Sequence, residues 1–160
     1  TKAVSDEYMY KMYKAEHSCI RLREFEIIIE NIPYWVAMHF CRHHIGVEKF
    51  VSTQRTDRTG VDRNSKPQDS PVNLAGEADA QALINISRRR LCNCASSETR
   101  QAWQEVKDKV AEVEPELASC MVKECIYRGF CPEMFSCGYD KTEAFQAELK
   151  EYRKGINGNE

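Results

Sequence analysis

The chain has 160 residues, with 23 basic against 25 acidic side chains and a formal net charge of -2. That bounds it to one domain, or a domain with a small appendage, and excludes two large ones. Hydrophobic residues at 42% and charged residues at 30% are ordinary globular usage, and the near-neutral balance argues against a general nucleic-acid binder.

The longest apolar stretch, residues 34–41, is interrupted by His39 and too short to span a bilayer, and the first residues carry no signal-peptide core. No membrane association is expected. Eight cysteines are the compositional oddity. A chain with this apolar content needs no disulfide staples, so reduced thiols and a cytoplasmic location are expected. Cys120, Cys125, Cys131 and Cys137 lack the tight Cys-x-x-Cys spacing of structural zinc sites, and no metal is expected.

Residues 6–16 place Tyr8, Met9, Met12 and Tyr13 at helical spacing behind Ser5 as N-cap, and His17 and Ser18 end that helix. Residues 22–30 alternate, with Phe25, Ile27 and Ile29 opposite Glu24, Glu26 and Glu30, and read as a strand. Asn31 then caps a short helix, with Pro33 in its first turn, running into Arg42, His43 and His44. Gly46 breaks it, residues 48–53 read as a second strand, and residues 54–70 as a loop bearing Arg55, Arg58 and Arg63. Residues 78–91 form a helix with Ala82, Leu83 and Ile86 on one face, and Ser96 or Ser97 caps another running to about Glu114. Pro115 starts a new turn, and residues 120–138 are irregular and cysteine-rich. Asp140 with Glu143 has capping-box spacing for a last helix to about Lys154, followed by a frayed tail over 155–160. The class is α+β, a single domain over 1–154 with 119–154 as a cysteine-rich appendage and last helix.

Two clusters carry chemistry. Arg42-His43-His44, followed after seven residues by Ser52, Thr53, Gln54 and Arg55, sits at a helix-to-strand junction. There arginine can grip a phosphate in a fork and hydroxyls add short bonds. A solvated basic turn is the bland alternative. Asn85 and Arg89 share a helix face beside Arg88 and Arg90. An arginine turned inward at that helix end needs an anion or polar ligand. For Arg88 a surface stripe is expected.

Arg42-His43-His44, seven residues and Ser52 resembles the Arg-His-Arg, seven residues, Ser signature of the flavin-dependent thymidylate synthases. The likeness extends upstream through His17, the 25–29 strand and Pro33, and resumes at Ala80, Leu83, Asn85, Arg90, Ala95 and Glu98. It spans residues 16–55 and 79–103, roughly two-fifths of the chain.

The resemblance implies a small antiparallel sheet packed with long helices, in a homotetramer with active sites between subunits. It also implies FAD and dUMP as ligands, with methylene-tetrahydrofolate and NADPH as co-substrates and dTMP as product, in a bacterial or phage-infected cytoplasm. Carried over position by position, Arg42, His43 and His44 would lie along the flavin, with Ser18 or Cys19, Gln81 and Asn85 as further cofactor contacts. His39 stands at a dUMP-facing glutamine position, with Arg42 also near the nucleotide, and Ser52, Thr53 and Gln54 match a Ser-Gly-Arg phosphate segment that Arg55 adjoins. Arg90 matches the arginine that favours ionisation of the uracil N3. A guanidinium stays charged at any working pH and stabilises negative charge on the pyrimidine.

His44 replaces an arginine, Gln54 replaces the phosphate-binding arginine, and Asp79 and Gln81 replace the family's Asn and Arg. The stretch between Arg55 and Asp79 lacks the family's Ala-Arg-x-x-Leu-Pro motif, whose charge Arg58 or Arg63 is expected to supply. The length suits a compact, phage-like form or a partial chain. Two other readings stay open: a flavin-dependent pyrimidine-nucleotide enzyme with another product, such as hydroxymethylation, and a flavin-free nucleotide-binding or assembly protein.

Overall fold

The computed structural model describes residues 4–154; the tail expected over 155–160 lies outside them. The structure is α+β, with three antiparallel strands in the order β1-β3-β2 and helices packed on one face.

Helix α1 (Asp6–Lys14) starts where Ser5 Oγ accepts the Tyr8 N–H, as its sequence predicts, and a 3-10 turn over Ser18–Leu22 leads to the sheet. Strand β1 (Glu24–Pro33) runs three residues beyond the predicted strand. Asn31 is not a helix cap: it has φ 56 at a register shift between Ile29 and Ile32, and its N–H donates to Asn73 Oδ1. Bulges of this kind bend an edge strand, here turning the chain directly into α2 (Tyr34–Cys41). Strand β2 (Val47–Val51) follows, and the predicted loop contains a one-turn helix α3 (Thr56–Thr59) and a 3-10 turn over Arg63–Ser65.

The larger correction is β3 (Pro71–Asp79), the central strand, where no strand is expected from sequence. Its inward positions are Val72, Leu74, Gly76 and Ala78, half of them small residues of poor strand propensity. Pairing on both edges overrides that preference. Small size is itself required: a Cβ on Gly76 would lie 2.6 Å from the Glu48 carbonyl oxygen.

Helix α4 (Ala80–Arg90) leaves β3 without a loop. Asp79 is both the last strand residue and the helix N-cap: its N–H donates to the Gly46 carbonyl at 3.0 Å and its Oδ1 accepts from the Ala82 N–H at 2.7 Å. The next N–H, of Ala80, donates to the Arg23 carbonyl beside β1.

Helix α5 (Ser97–Val113), capped by Ser96, crosses α4 through a buried chain in which the Trp103 indole N–H donates to Ser87 Oγ, which donates to the Leu83 carbonyl. Phe40 packs on Trp103 with ring centroids 5.5 Å apart. Pro115 opens α6 (Pro115–Cys120), and buried Glu114 just before it accepts from Tyr13 Oη at 2.8 Å and from both Nε and Nη2 of Arg23. The chain ends in α7 (Glu124–Arg128) and α8 (Glu143–Arg153), around a second buried cluster of Val122, Cys125, Ile126, Phe145 and Leu149. Thr142 caps α8, not Asp140, which instead accepts from the Ser136 hydroxyl.

The sheet buries the face bearing Ile29, Val72, Leu74 and Ala78. On its other face Glu26, Glu77 and Glu48 stand in one register row, and Ile28, Ala75 and Phe50 in the next, with Ile28 62% and Phe50 69% exposed. No described helix is long and apolar enough to cross a membrane.

Removing the Asp79 carboxylate leaves the Ala82 N–H without its cap. We expect Asp79→Ala to lose about 1 kcal/mol, read as a lower urea midpoint at unchanged slope, and Asp79→Asn to stay near wild type. Gly46→Ala should cost more, because Gly46 has φ +69 and a Cβ there would lie 2.5 Å from Asp79 Oδ2.

Candidate functional site

Residues four apart on a helix share a face. On α2 this makes one stripe of Tyr34 and Met38 leading to Arg42, and an adjoining stripe of Trp35 and His39 leading to His43, while Val36, Ala37 and Phe40 are buried. Arg90, in the last turn of α4, arrives beneath the second stripe.

The half-buried Arg90 donates from Nε to His43 Nε2 at 2.8 Å and from Nη2 to the His39 carbonyl at 2.7 Å. That carbonyl is one of those at the C-terminus of α2 without a partner inside the helix, where the helix dipole also favours a cation. Arginine never accepts a hydrogen bond, so His43 Nε2 bears the lone pair and Nδ1 the proton. Burial first, then Arg90, Lys49, His44 and Arg89, lower the His43 pKa to about 4, and the ring is neutral at pH 7. Lys49, inward-facing on β2, fixes the segment further by donating to the His43 carbonyl.

His39 is also held below its ordinary value, by burial and then by Arg90 and Arg42. Its Nδ1 lies 3.0 Å from Thr99 Oγ1, which accepts from Ser96 Oγ at 2.8 Å. The Thr99 hydroxyl thus ties the His39 ring to the N-cap of α5. Trp35 stacks edge-on against that ring.

None of the ion pairs among the described residues includes Arg42, Lys49 or Arg90. Burial and the neighbouring Arg42 and Arg89 lower the Arg90 pKa, yet a guanidinium remains charged. A half-buried cation surrounded by cations and neutral acceptors is costly alone and is stabilised by an anion. Arg89 is partly offset by Glu133, and the exposed His44 turns its Nδ1 to the Arg42 carbonyl.

The structure thus brings together His39, Arg42, His43, His44 and Arg90. Gln81 and Asn85 form a second group on another face of α4. Gln81 Nε2 donates to Glu16 Oε2 at 2.6 Å, and Arg88 donates to both Asn85 Oδ1 and Glu16. Arg88 is not in a surface stripe: its side chain is 13% exposed and its guanidinium lies 3.6 Å from the Tyr127 ring centroid. The i to i+7 spacing from Gln81 to Arg88 held that signal, but no sequence pattern pointed to Glu16. Ser18 and Cys19 are exposed on the 3-10 turn before β1.

The phosphate-type segment lines a separate cavity of about 550 Å³ with Ser52, Gln54 and Arg55 in its wall, beside Tyr34 and Met38. Ser52 Oγ accepts from the Asn73 N–H, and Thr53 Oγ1 accepts from the Arg55 N–H. Arg55 grips Asp57 in a fork at 2.9 and 2.7 Å. Its charge is therefore already paired within the chain. Of the two arginines considered as replacements, Arg63 lines this cavity and Arg58 does not.

All eight cysteines are free thiols, and burial pushes Cys120, Cys92 and Cys125 up, Cys125 to about 11. No described group of three or more His, Cys, Asp or Glu is placed to hold a metal. Neither a protein-family model nor a curated protein matches the chain.

The unfolded chain takes up a proton at His43 near the ordinary 6.5, the folded chain only near 4. Stability contributed by the neutral ring is therefore present above pH 6.5 and is lost as pH falls toward 4. Denaturation midpoints measured across that window should fall in the wild type and fall less in His43→Gln. An NMR titration placing His43 at its ordinary value would contradict this.

Proposed function

We propose that the chain is a flavin-dependent thymidylate synthase, reductively methylating dUMP to dTMP with methylene-tetrahydrofolate as carbon donor and NADPH as reductant. The observation that carries the reading is the half-buried Arg90, held only by neutral acceptors beside Arg42 and Arg89, with neither Arg90 nor Arg42 in an ion pair among the described residues. It joins the resemblance borne by Arg42-His43-His44, Ser52, Asn85 and Arg90.

Arg42, His43 and His44 would hold FAD, with Ser18 or Cys19, Gln81 and Asn85 as neutral contacts. The fit is one of charge: a pyrophosphate suits unpaired cations. FAD supplies the redox chemistry when bound. Arg90 stabilises the negative charge that forms on the uracil ring at N3, and its partial burial strengthens that interaction. The His39 ring, at the dUMP-facing position, orients the base, and neutral His43 holds the Arg90 fork without offsetting its charge. No thiol nucleophile is required, and the raised Cys92 and Cys125 thiols are protonated at pH 7.

The working unit is a homotetramer with active sites between subunits, and the chain acts in a bacterial or phage-infected cytoplasm. Within one chain the cavity beside Ser52 does not share its lining with Arg90, which suits a site completed by a second copy. Apolar surface for such contacts exists at Ile28, Phe50 and Val113, and in a groove of about 430 Å³ between β1 and α5.

A second reading, a nucleotide-binding homologue without flavin chemistry, is favoured by one observation. Gln81 and Asn85 are engaged with Glu16 and Arg88 through Gln81 Nε2 and Asn85 Oδ1, so those two groups are already committed within the chain. An absorbance spectrum and a dTMP assay separate the two. The synthase shows flavin bands and forms dTMP, and Arg90→Ala lowers kcat about a hundredfold or more with flavin content retained. Colourless protein that takes up no FAD and makes no dTMP overturns the reading.

A further inference from the structure

The cysteines of residues 119–154 take no part in the proposed chemistry, yet the fold brings one of them back to the end of α4. Past Arg90 the chain makes a tight turn in which the Ala95 N–H donates to the Cys92 carbonyl at 2.9 Å. Cys92 and Cys94 lie on that turn. The loop over residues 131–138 folds against it from beyond α7: Arg89 pairs with Glu133 at 3.1 Å, and Cys94 Sγ donates to the Phe135 carbonyl at 3.7 Å. Two residues past Phe135 is Cys137, and the Cys94 thiol meets those of both Cys92 and Cys137.

Exposure and hydrogen bonding separate the three. Cys92 is half-buried, and its sulfur accepts the Cys94 N–H, so it faces into its own turn. Cysteines two apart on a tight turn would also close a small, strained ring. Cys94 and Cys137 are both exposed and come from segments far apart in sequence. Cys131 packs instead on the second buried cluster, which includes Cys125. No described group of three or more such side chains is placed to hold a metal, so the chemistry open to the meeting thiols is that of a pair.

Partial desolvation, then Cys92 and Cys137, push the Cys94 thiol up to about 11, and it is protonated at pH 7. A protonated thiol exchanges slowly. The pair therefore persists as two thiols in a reducing compartment and answers sustained oxidant rather than a brief pulse.

We infer that Cys94 and Cys137 form a dithiol site that takes a low-molecular-weight disulfide, such as glutathione disulfide, as its oxidant and closes to an intramolecular disulfide. One protein thiolate attacks a sulfur of the oxidant, which leaves a mixed disulfide and releases one small thiol. The second protein thiolate attacks the protein sulfur of that mixed disulfide and releases the other. The two protein S–H groups lose their protons and two electrons, and the oxidant becomes two thiols. The closed bond fastens the cysteine-rich appendage to the turn between Arg90 and the Ser96 cap of α5. None of this rests on the synthase reading.

The full chain, reduced and then held in glutathione disulfide at about pH 8.5, where more thiolate is present, tests the site. Thiol titration should show the loss of two of the eight thiols, with an intact mass lower by two hydrogens and full recovery in dithiothreitol. A tryptic map should join residues 91–100 to residues 129–141. Each of those peptides contains two cysteines, so serine variants assign the pair. The link should vanish in Cys94→Ser and in Cys137→Ser, both exposed positions whose circular dichroism should match wild type, and persist in Cys92→Ser and Cys131→Ser. Eight thiols remaining after oxidation, glutathione adducts that never resolve to a link, or a link lost in Cys92→Ser or Cys131→Ser while surviving in Cys94→Ser or Cys137→Ser each overturn the inference. So does zinc in the purified protein that must be chelated before any thiol reacts, since the cluster is then a metal site.

Discussion

Asp79 belongs at once to the sheet and to the helix that delivers Arg90. Its N–H reaches the turn before β2, its carboxylate caps α4, and the next amide reaches the residue before β1. All three strands and α4 meet within a few ångströms of it. The turn tolerates this only because Gly46 has no Cβ and a backbone in the left-handed region. With the start of α4 fixed, its eleven residues fix where Arg90 ends, and Trp103 locks the helix's rotation through Ser87. The site's geometry is therefore inherited from a junction at the opposite end of α4.

At that far end the design is one of charge kept available. Both imidazoles are neutral at working pH, because burial and nearby cations disfavour their protonation. The His43 ring and the His39 backbone carbonyl hold Arg90 without neutralising it. A carboxylate in place of the His43 ring would bind the guanidinium more strongly and spend the charge, as Asp57 does with Arg55 and Glu16 with Arg88. The protein thus contains both kinds of arginine, paired ones that organise the chain and ones such as Arg90 and Arg42 that enter no ion pair among the described residues.

Much of this was legible in sequence, for local reasons. The alternation of residues 24–29, the Ser5 and Ser96 caps and Pro115 state their structures through side-chain periodicity and backbone hydrogen bonding. That an arginine among Arg88 to Arg90 turns inward followed from helix geometry, but Arg88, expected on a surface stripe, turns inward as well as Arg90. What escaped depended on distant partners. β3 has small inward residues and is a strand because two others flank it, and Asn31 reads as a cap until a bulge claims it. Lys49 at a core-facing position was a signal available from alternation alone. Glu16 and Arg88, seventy-two residues apart, were not, since only the folded chain joins them.

The strand order also governs how the molecule comes into being. β1 and β2 are neighbours in sequence but share no hydrogen bonds, because the strand between them is made last. During synthesis both edges emerge without a template, and closing the sheet requires joining Glu24 to Asp79 across the whole intervening chain. Long-range closure of this kind is slow and leaves strand edges exposed meanwhile. Once residue 79 is free, the sheet closes, α4 can start and Arg90 can reach α2. The cluster around Arg90 has no precursor: it forms in the same event that completes the fold.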